Sequence, residues 1–138
     1  MVEIQLSYRG RLRCDAVHGP SQTALVTDAP VDNQGRGESF SPTDLVATAL
    51  GSCMLTMMGI TANKFGWDIT GIDVRVEKHM TTTPPRRIAR LVAQFTVPEA
   101  VKARLDAAAR EKLEHTANTC PVRLSILEAI DVPTNFGW

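Results

Sequence analysis

Between Asp44 and Lys64 the chain carries no charged residue, through the run LVATALGSCMLTMMGITAN. The segment from Ser41 to Phe65 therefore reads as one long, largely buried helix, because a helix with so little polar surface has to be enclosed. Ser41 suits its N-cap, Pro42 its first helical position, and Asp44 completes a capping box with Asp in place of the usual Glu. Gly66 closes it. A thiol, Cys53, sits near the middle of this apolar element and needs a reason to be there.

The run approaches the roughly 20 residues of a membrane span. Thr48, Ser52, Thr56, Thr61 and Asn63 interrupt it, and no basic cluster flanks it, so burial against protein is expected instead. The 138 residues predict a single domain, 1–138, large enough for a real core. Fifteen basic and fifteen acidic residues cancel without forming blocks, which argues against nucleic acid or an anionic membrane as a partner. The N-terminal MVEIQLSYRG shows no secretory pattern, and three scattered cysteines make no disulfide framework. A cytoplasmic protein with reduced thiols is expected.

Val2, Ile4, Leu6 and Tyr8 alternate as a half-buried strand, and RLRCDAV and TALVTDA predict two more. DAPVDNQGRGES reads as a surface loop leading to the helix. Strands follow at Ile72–Val76 and Ile88–Val97, then a helix from Pro98 to about Asn118, a helix start at Thr119-Cys120-Pro121, and a short strand at Ile130–Thr134. The class is α+β, an antiparallel sheet with a long buried central helix. One amphipathic helix and a few strands cover one side of that helix more easily than both. Ala47, Gly51, Ser52 and Gly59 offer close approach, so dimerisation through it is the economical solution.

Cys53 and Cys120 lie 67 positions apart, with neither CxxC nor a Cys/His metal spacing. A zinc site from Cys53, Cys120 and His115 lacks a further ligand at a metal spacing, and no cofactor is called for. Cys14 reads as inert strand packing. If the sulfurs of Cys53 and Cys120 meet, one thiolate can attack a peroxide and the other can condense with the resulting sulfenic acid. The helix start places Cys120 beside unpaired N–H groups, which favours thiolate. Cys53, in apolar surroundings, needs a cation, for which Arg11, Arg13 and Arg36 are candidates. Asp44 could orient an arginine, but nine helical residues put it about 13.5 Å from Cys53 along the axis and on the opposite face.

At these residues the chain resembles the OsmC/Ohr family of thiol-dependent peroxidases. SPTDLVATALGSC is similar to the family's first-cysteine helix and HTANTCPV to its second-cysteine motif. The resemblance implies an OsmC-like fold forming an intertwined homodimer, active sites at the subunit interface, and reduction of organic hydroperoxides by a dithiol reductant. By motif, Cys53 matches the peroxidatic cysteine and Cys120 the resolving one. The family's arginine falls on Arg11, with Arg13 close behind. The family's glutamate position is Thr43 here, with the acid one place later at Asp44. An interface cavity lined by Phe40, Met54, Met57 and Met58 would favour alkyl or lipid hydroperoxides, although a methionine cluster more often fills a core. The alternative from another class is a non-enzymatic, stress-associated or ligand-binding homodimer of the same fold.

Overall fold

The protein, described over residues 1–138 by a computed structural model, has six strands and four α-helices in α+β order, falling into two units, Met1–Val46 and Ala47–Trp138. In the first unit β1 (Ile4–Gly10), β2 (Arg13–His18) and β3 (Ala24–Asp28) form an antiparallel sheet in sequence order. Tyr8 pairs with Cys14 and Cys14 with Thr27, so these three share one face with Leu6, Ala16 and Leu25. The alternating apolar row of β1 is present as expected, but it is not half-buried: Ile4, Leu6 and Tyr8 remain 57–66% exposed.

Arg11 departs from its expected place in the second strand. Gly10 pairs with Arg13, leaving Arg11 (φ 53°) and Leu12 (φ 61°) as a two-residue turn. Two left-handed residues match the twist of the flanking strands, and that requirement takes Arg11 out of β2. The loop after β3 is closed rather than loose. Gly35 and Gly37 donate to the Pro30 and Ala29 carbonyls at 3.0 and 3.1 Å around a single 3-10 turn, Val31–Asn33. A Cβ on Gly35 would lie 1.7 Å from the Ala29 carbonyl oxygen, so only glycine fits. Beneath the loop, the fully buried Asp28 accepts the Glu38 N–H at 3.0 Å.

Helix α1 (Pro42–Phe65) begins in the first unit and continues through the second. Its start is the expected capping box: the Asp44 N–H donates to Ser41 Oγ at 3.1 Å, and the Ser41 N–H to Asp44 Oδ2 at 2.8 Å. The second unit adds β4 (Asp73–Met80), β5 (Ile88–Thr96) and β6 (Thr134–Asn135). The strands thus divide into two three-stranded sheets, and the second is mixed, since β6 pairs parallel to β5. The expected helix from Pro98 is two, α2 (Glu99–Lys102) and α3 (Ala107–Asn118). Asp106 makes the break, its carboxylate accepting the Ala109 N–H at 2.8 Å as a new N-cap.

The core of the second unit joins Leu50, Met54, Met58 and Ala62 of α1 to Leu91, Ala93 and Phe95 of β5 and to Val101, Leu105, Leu113 and Ala117. Gly51 lets α1 sit directly on β4, where a Cβ would meet Val76 Cγ2 at 2.9 Å and Val74 Cγ1 at 3.2 Å. Only one stripe of α1 is buried, however. Val46 and Ile60 are 37% and 56% exposed, so the expectation of a largely buried helix holds for one side. With a mean hydropathy of 1.7 over its best window, α1 is long and apolar enough to cross a membrane, a test that the core helix of a soluble protein also passes. Gly51→Leu will lower stability by about 1–3 kcal/mol through overpacking on stiff β-branched neighbours, measured by urea unfolding. Asp106→Ala will cost about 0.5–2 kcal/mol by removing the α3 cap.

Candidate functional site

Cys53 lies on α1 between Leu50 and Met54, both fully buried, and at 100° per residue it falls beside their stripe, half-buried. Cys120 arrives from the other direction. The buried positions of α3, Ala109, Leu113 and Ala117, continue at a helical step to Cys120, which is fully buried. Chain geometry then changes at α4 (Pro121–Ser125), whose N-cap is Cys120 and whose first helical residue is Pro121. The Cys120 sulfur accepts the Arg123 backbone N–H at 3.4 Å.

The two elements bring the sulfurs together. Cys53 lies close enough to Cys120 to perturb its thiol, and both cysteines are free. Burial raises the Cys120 thiol above its ordinary pKa, and the neighbouring Cys53 pushes the same way, whereas the Arg123 and Val122 N–H groups pull it down. This corrects the expectation that the helix start makes Cys120 a thiolate: desolvation outweighs the N–H groups of a five-residue helix. At neutral pH Cys120 is held as a proton-bearing thiol beside Cys53.

Arg13, Arg36 and Asp44 lie in the Met1–Val46 unit with Arg11. Arg11 is exposed in the β1–β2 turn. Arg13 Nη1 reaches Glu38 Oε2 at 2.6 Å, and Arg36 Nη1 lies 3.9 Å from Glu38 Oε1. Glu38 was not expected as a partner of these arginines; its position between Arg36 and the start of α1 was the available signal. Asp44 caps α1 as described. His115 is exposed on α3, and no three metal-ligating side chains of the His, Cys, Asp and Glu types converge anywhere in the molecule.

The methionines do not line an accessible cavity together. Met54 and Met58 are fully buried in the core, where their flexible side chains fill space between helix and sheet. Met57 packs at the core edge, and Phe40 is 51% exposed. A cleft of about 340 Å³ does lie along the C-terminal half of α1, between Leu55, Gly59, Ala62, Trp67 and Ile69, and it contains neither thiol.

Residues 35–135 match the OsmC-like protein family. The chain belongs to that family. A crystal structure from Psychrobacter arcticus 273-4, named for osmotic stress induction and a detoxification response, is 42% identical, with 99% of this chain and 96% of that chain covered and a TM-score of 0.90. An organic hydroperoxide resistance protein OsmC from Legionella pneumophila shares the fold at 19% identity, with 100% and 97% covered and a TM-score of 0.72. So does an organic hydroperoxide resistance protein from Vibrio cholerae O1 biovar eltor, at 14% identity, 97% and 89% covered, and a TM-score of 0.72; its structure holds captopril in one active site. No curated protein matches the chain. The α+β fold of this OsmC-like protein is thus shared along its whole length.

The asymmetry of the two thiols has a measurable consequence. Cys120 will alkylate more slowly than Cys53, and its rate will rise with pH beyond the range of an ordinary thiol; equal rates would contradict its burial. The raised pKa means that the unfolded chain gives up this proton first. The stabilisation from the neutral Cys120 thiol is therefore complete below about pH 8.5 and is lost as pH climbs toward the folded-state value. Urea unfolding from pH 7 to 10 will show this loss in the wild type and not in Cys120→Ser.

Proposed function

We propose that this OsmC-like protein is a thiol-dependent peroxidase that reduces organic hydroperoxides. The observation that carries the reading is the proximity of two free thiols, one at the core edge and one fully buried. Relatives of the same fold named for organic hydroperoxide resistance support it.

In this reading the Cys53 thiolate attacks the terminal oxygen of ROOH, the O–O bond breaks, and the alkoxide leaves to take up a proton as ROH. Cys53 becomes a sulfenic acid. The Cys120 sulfur then attacks the Cys53 sulfur and expels water, forming a disulfide and protecting Cys53 from further oxidation. An external dithiol restores both thiols and is itself oxidised to a disulfide. The raised pKa of Cys120 suits the sequence of events, because a thiol kept neutral does not compete for the peroxide. By the motif resemblance, thiolate and alkoxide stabilisation falls to Arg11, with Arg13 close behind. Asp44 is assigned the helix cap, with any role in catalysis acting through the start of α1.

The working form in this reading is a cytoplasmic homodimer. The exposed apolar rows of β1 and α1, including Ile4, Leu6, Tyr8, Val46 and Ile60, are surfaces that a second copy would cover. Light scattering will return twice the chain mass; a monomer at micromolar concentration would remove this part of the proposal.

Consumption of cumene hydroperoxide with dihydrolipoamide tests the activity. Wild type will turn over, and Cys53→Ser will lose activity by at least about 10³-fold, as for removal of a nucleophile. Cys120→Ser will react once and stall. Arg13→Ala and Arg11→Ala separate the two arginines: the one that stabilises the thiolate will lose about 10²–10³-fold in rate, as for other transition-state charge donors. Equal activity in wild type and both cysteine variants would support a non-enzymatic stress-associated or ligand-binding dimer instead.

A further inference from the structure

We infer that helix α4 is a redox-responsive element, capped by the Cys120 sulfur in the reduced protein and loosened when that sulfur enters a disulfide with Cys53. The inference rests on the proposed peroxidase reading for the disulfide, and on the structure for the cap. Helix N-caps are normally the side-chain oxygens of Ser, Thr, Asp or Asn. Here a thiol fills the place, accepting the Arg123 N–H at 3.4 Å, with Cys53 as its neighbour. One sulfur therefore serves both as helix cap and as a member of the thiol pair.

The two ends of the future disulfide are held very differently. Cys53 is fixed in the middle of the 24-residue α1, flanked by the fully buried Leu50 and Met54. Helix α4 has five residues and buries none of them, and Leu124 and the following Leu127 are each 71% exposed. Val122 and Ile126 pack only partly on the core. A disulfide brings the sulfurs to about 2.05 Å with a preferred dihedral angle, much closer than two unbonded sulfurs can approach. When the Cys53 sulfenic acid and the Cys120 thiol condense with loss of water, the shift falls on the weakly held end. The Cys120 sulfur turns toward Cys53, and the Arg123 N–H loses its acceptor. The bonds that tie α4 to its flanks do not involve the sulfur: the Leu124 N–H to the Cys120 carbonyl at 3.0 Å and the closing bond from the Ile126 N–H to the Val122 carbonyl at 3.1 Å, with Ser125 Oγ donating to the Pro121 carbonyl at 2.8 Å. The oxidised protein thus presents a different surface around Leu124 and Leu127, which a reductant can distinguish from the reduced form.

Amide hydrogen exchange over residues 120–130 tests this in the full-length protein, reduced and after oxidation with one equivalent of cumene hydroperoxide. Loss of two hydrogens in the intact mass reports the disulfide. With the disulfide formed, the amides of Arg123–Ile126 will exchange roughly two- to thirtyfold faster, the range that loss of a helix cap produces. Cys120→Ala, which has no cap, will exchange fast with or without peroxide. Cys120→Ser, whose oxygen can cap but cannot form the disulfide, will exchange slowly in both conditions. Unchanged exchange in the disulfide form would overturn the switch, and equal protection in the Ala and Ser variants would overturn the cap on which it depends. Failure of the disulfide to form would overturn both the peroxidase reading and the switch, and the two variants would then still decide the cap.

Discussion

The proximity of Cys53 and Cys120 depends on one packing constraint: α1 lies on β4 and β5 with a single stripe facing inward. Gly51 permits the approach to Val74 and Val76, and Leu50, Met54 and Met58 fix the rotation of the helix. With that rotation set, Cys53 has only the edge of the stripe to occupy. The second thiol is placed by the same logic from α3, where Ala109, Leu113 and Ala117 point into the core and Cys120 continues their line. Two hydrophobic registers, formed far apart in sequence, thus converge on a pair of sulfurs.

Their surroundings divide the labour between them. Full burial holds Cys120 neutral even though backbone N–H groups aim at its sulfur, because a few amide dipoles do not replace the lost hydration of a thiolate. Cys53, by contrast, is half-buried at the edge of the core. The Arg13–Glu38 pair in the first unit shows how an arginine can be fixed without the carboxylate that the family resemblance places at the head of α1.

Much of this was legible in the sequence. The absence of charge from Leu45 to Asn63 fixed the long helix, and Ser41-Pro42 with Asp44 fixed its start, because local patterning and capping act within a few residues. The period-two strands and the Cys120-Pro121 helix start were equally local. Properties set by distant partners were harder to read. The neutral state of Cys120 depends on burial that only the assembled core provides. Arg11 left the strand because a two-residue turn fits the hairpin twist, a choice that no Asn-Gly signal announced. Asp106 was readable as a cap, but the apolar spacing across it masked the break between α2 and α3. Met54 and Met58 are core filling, the commoner role of a methionine cluster, although side-chain type alone left cavity lining open because it does not reveal which face a neighbour covers.

The exposed apolar faces of β1 and α1 leave the OsmC-like chain with surface suited to a second copy, and the proposed reaction rests on its cysteine pair. The central claim is that Cys53 and Cys120 work as one redox pair. Peptide mapping after a single equivalent of an alkyl hydroperoxide tests it most directly. The account predicts one Cys53–Cys120 disulfide with Cys14 still reduced, whereas Cys53 carried to sulfinic acid beside a free Cys120, or no reaction at Cys53, would contradict it.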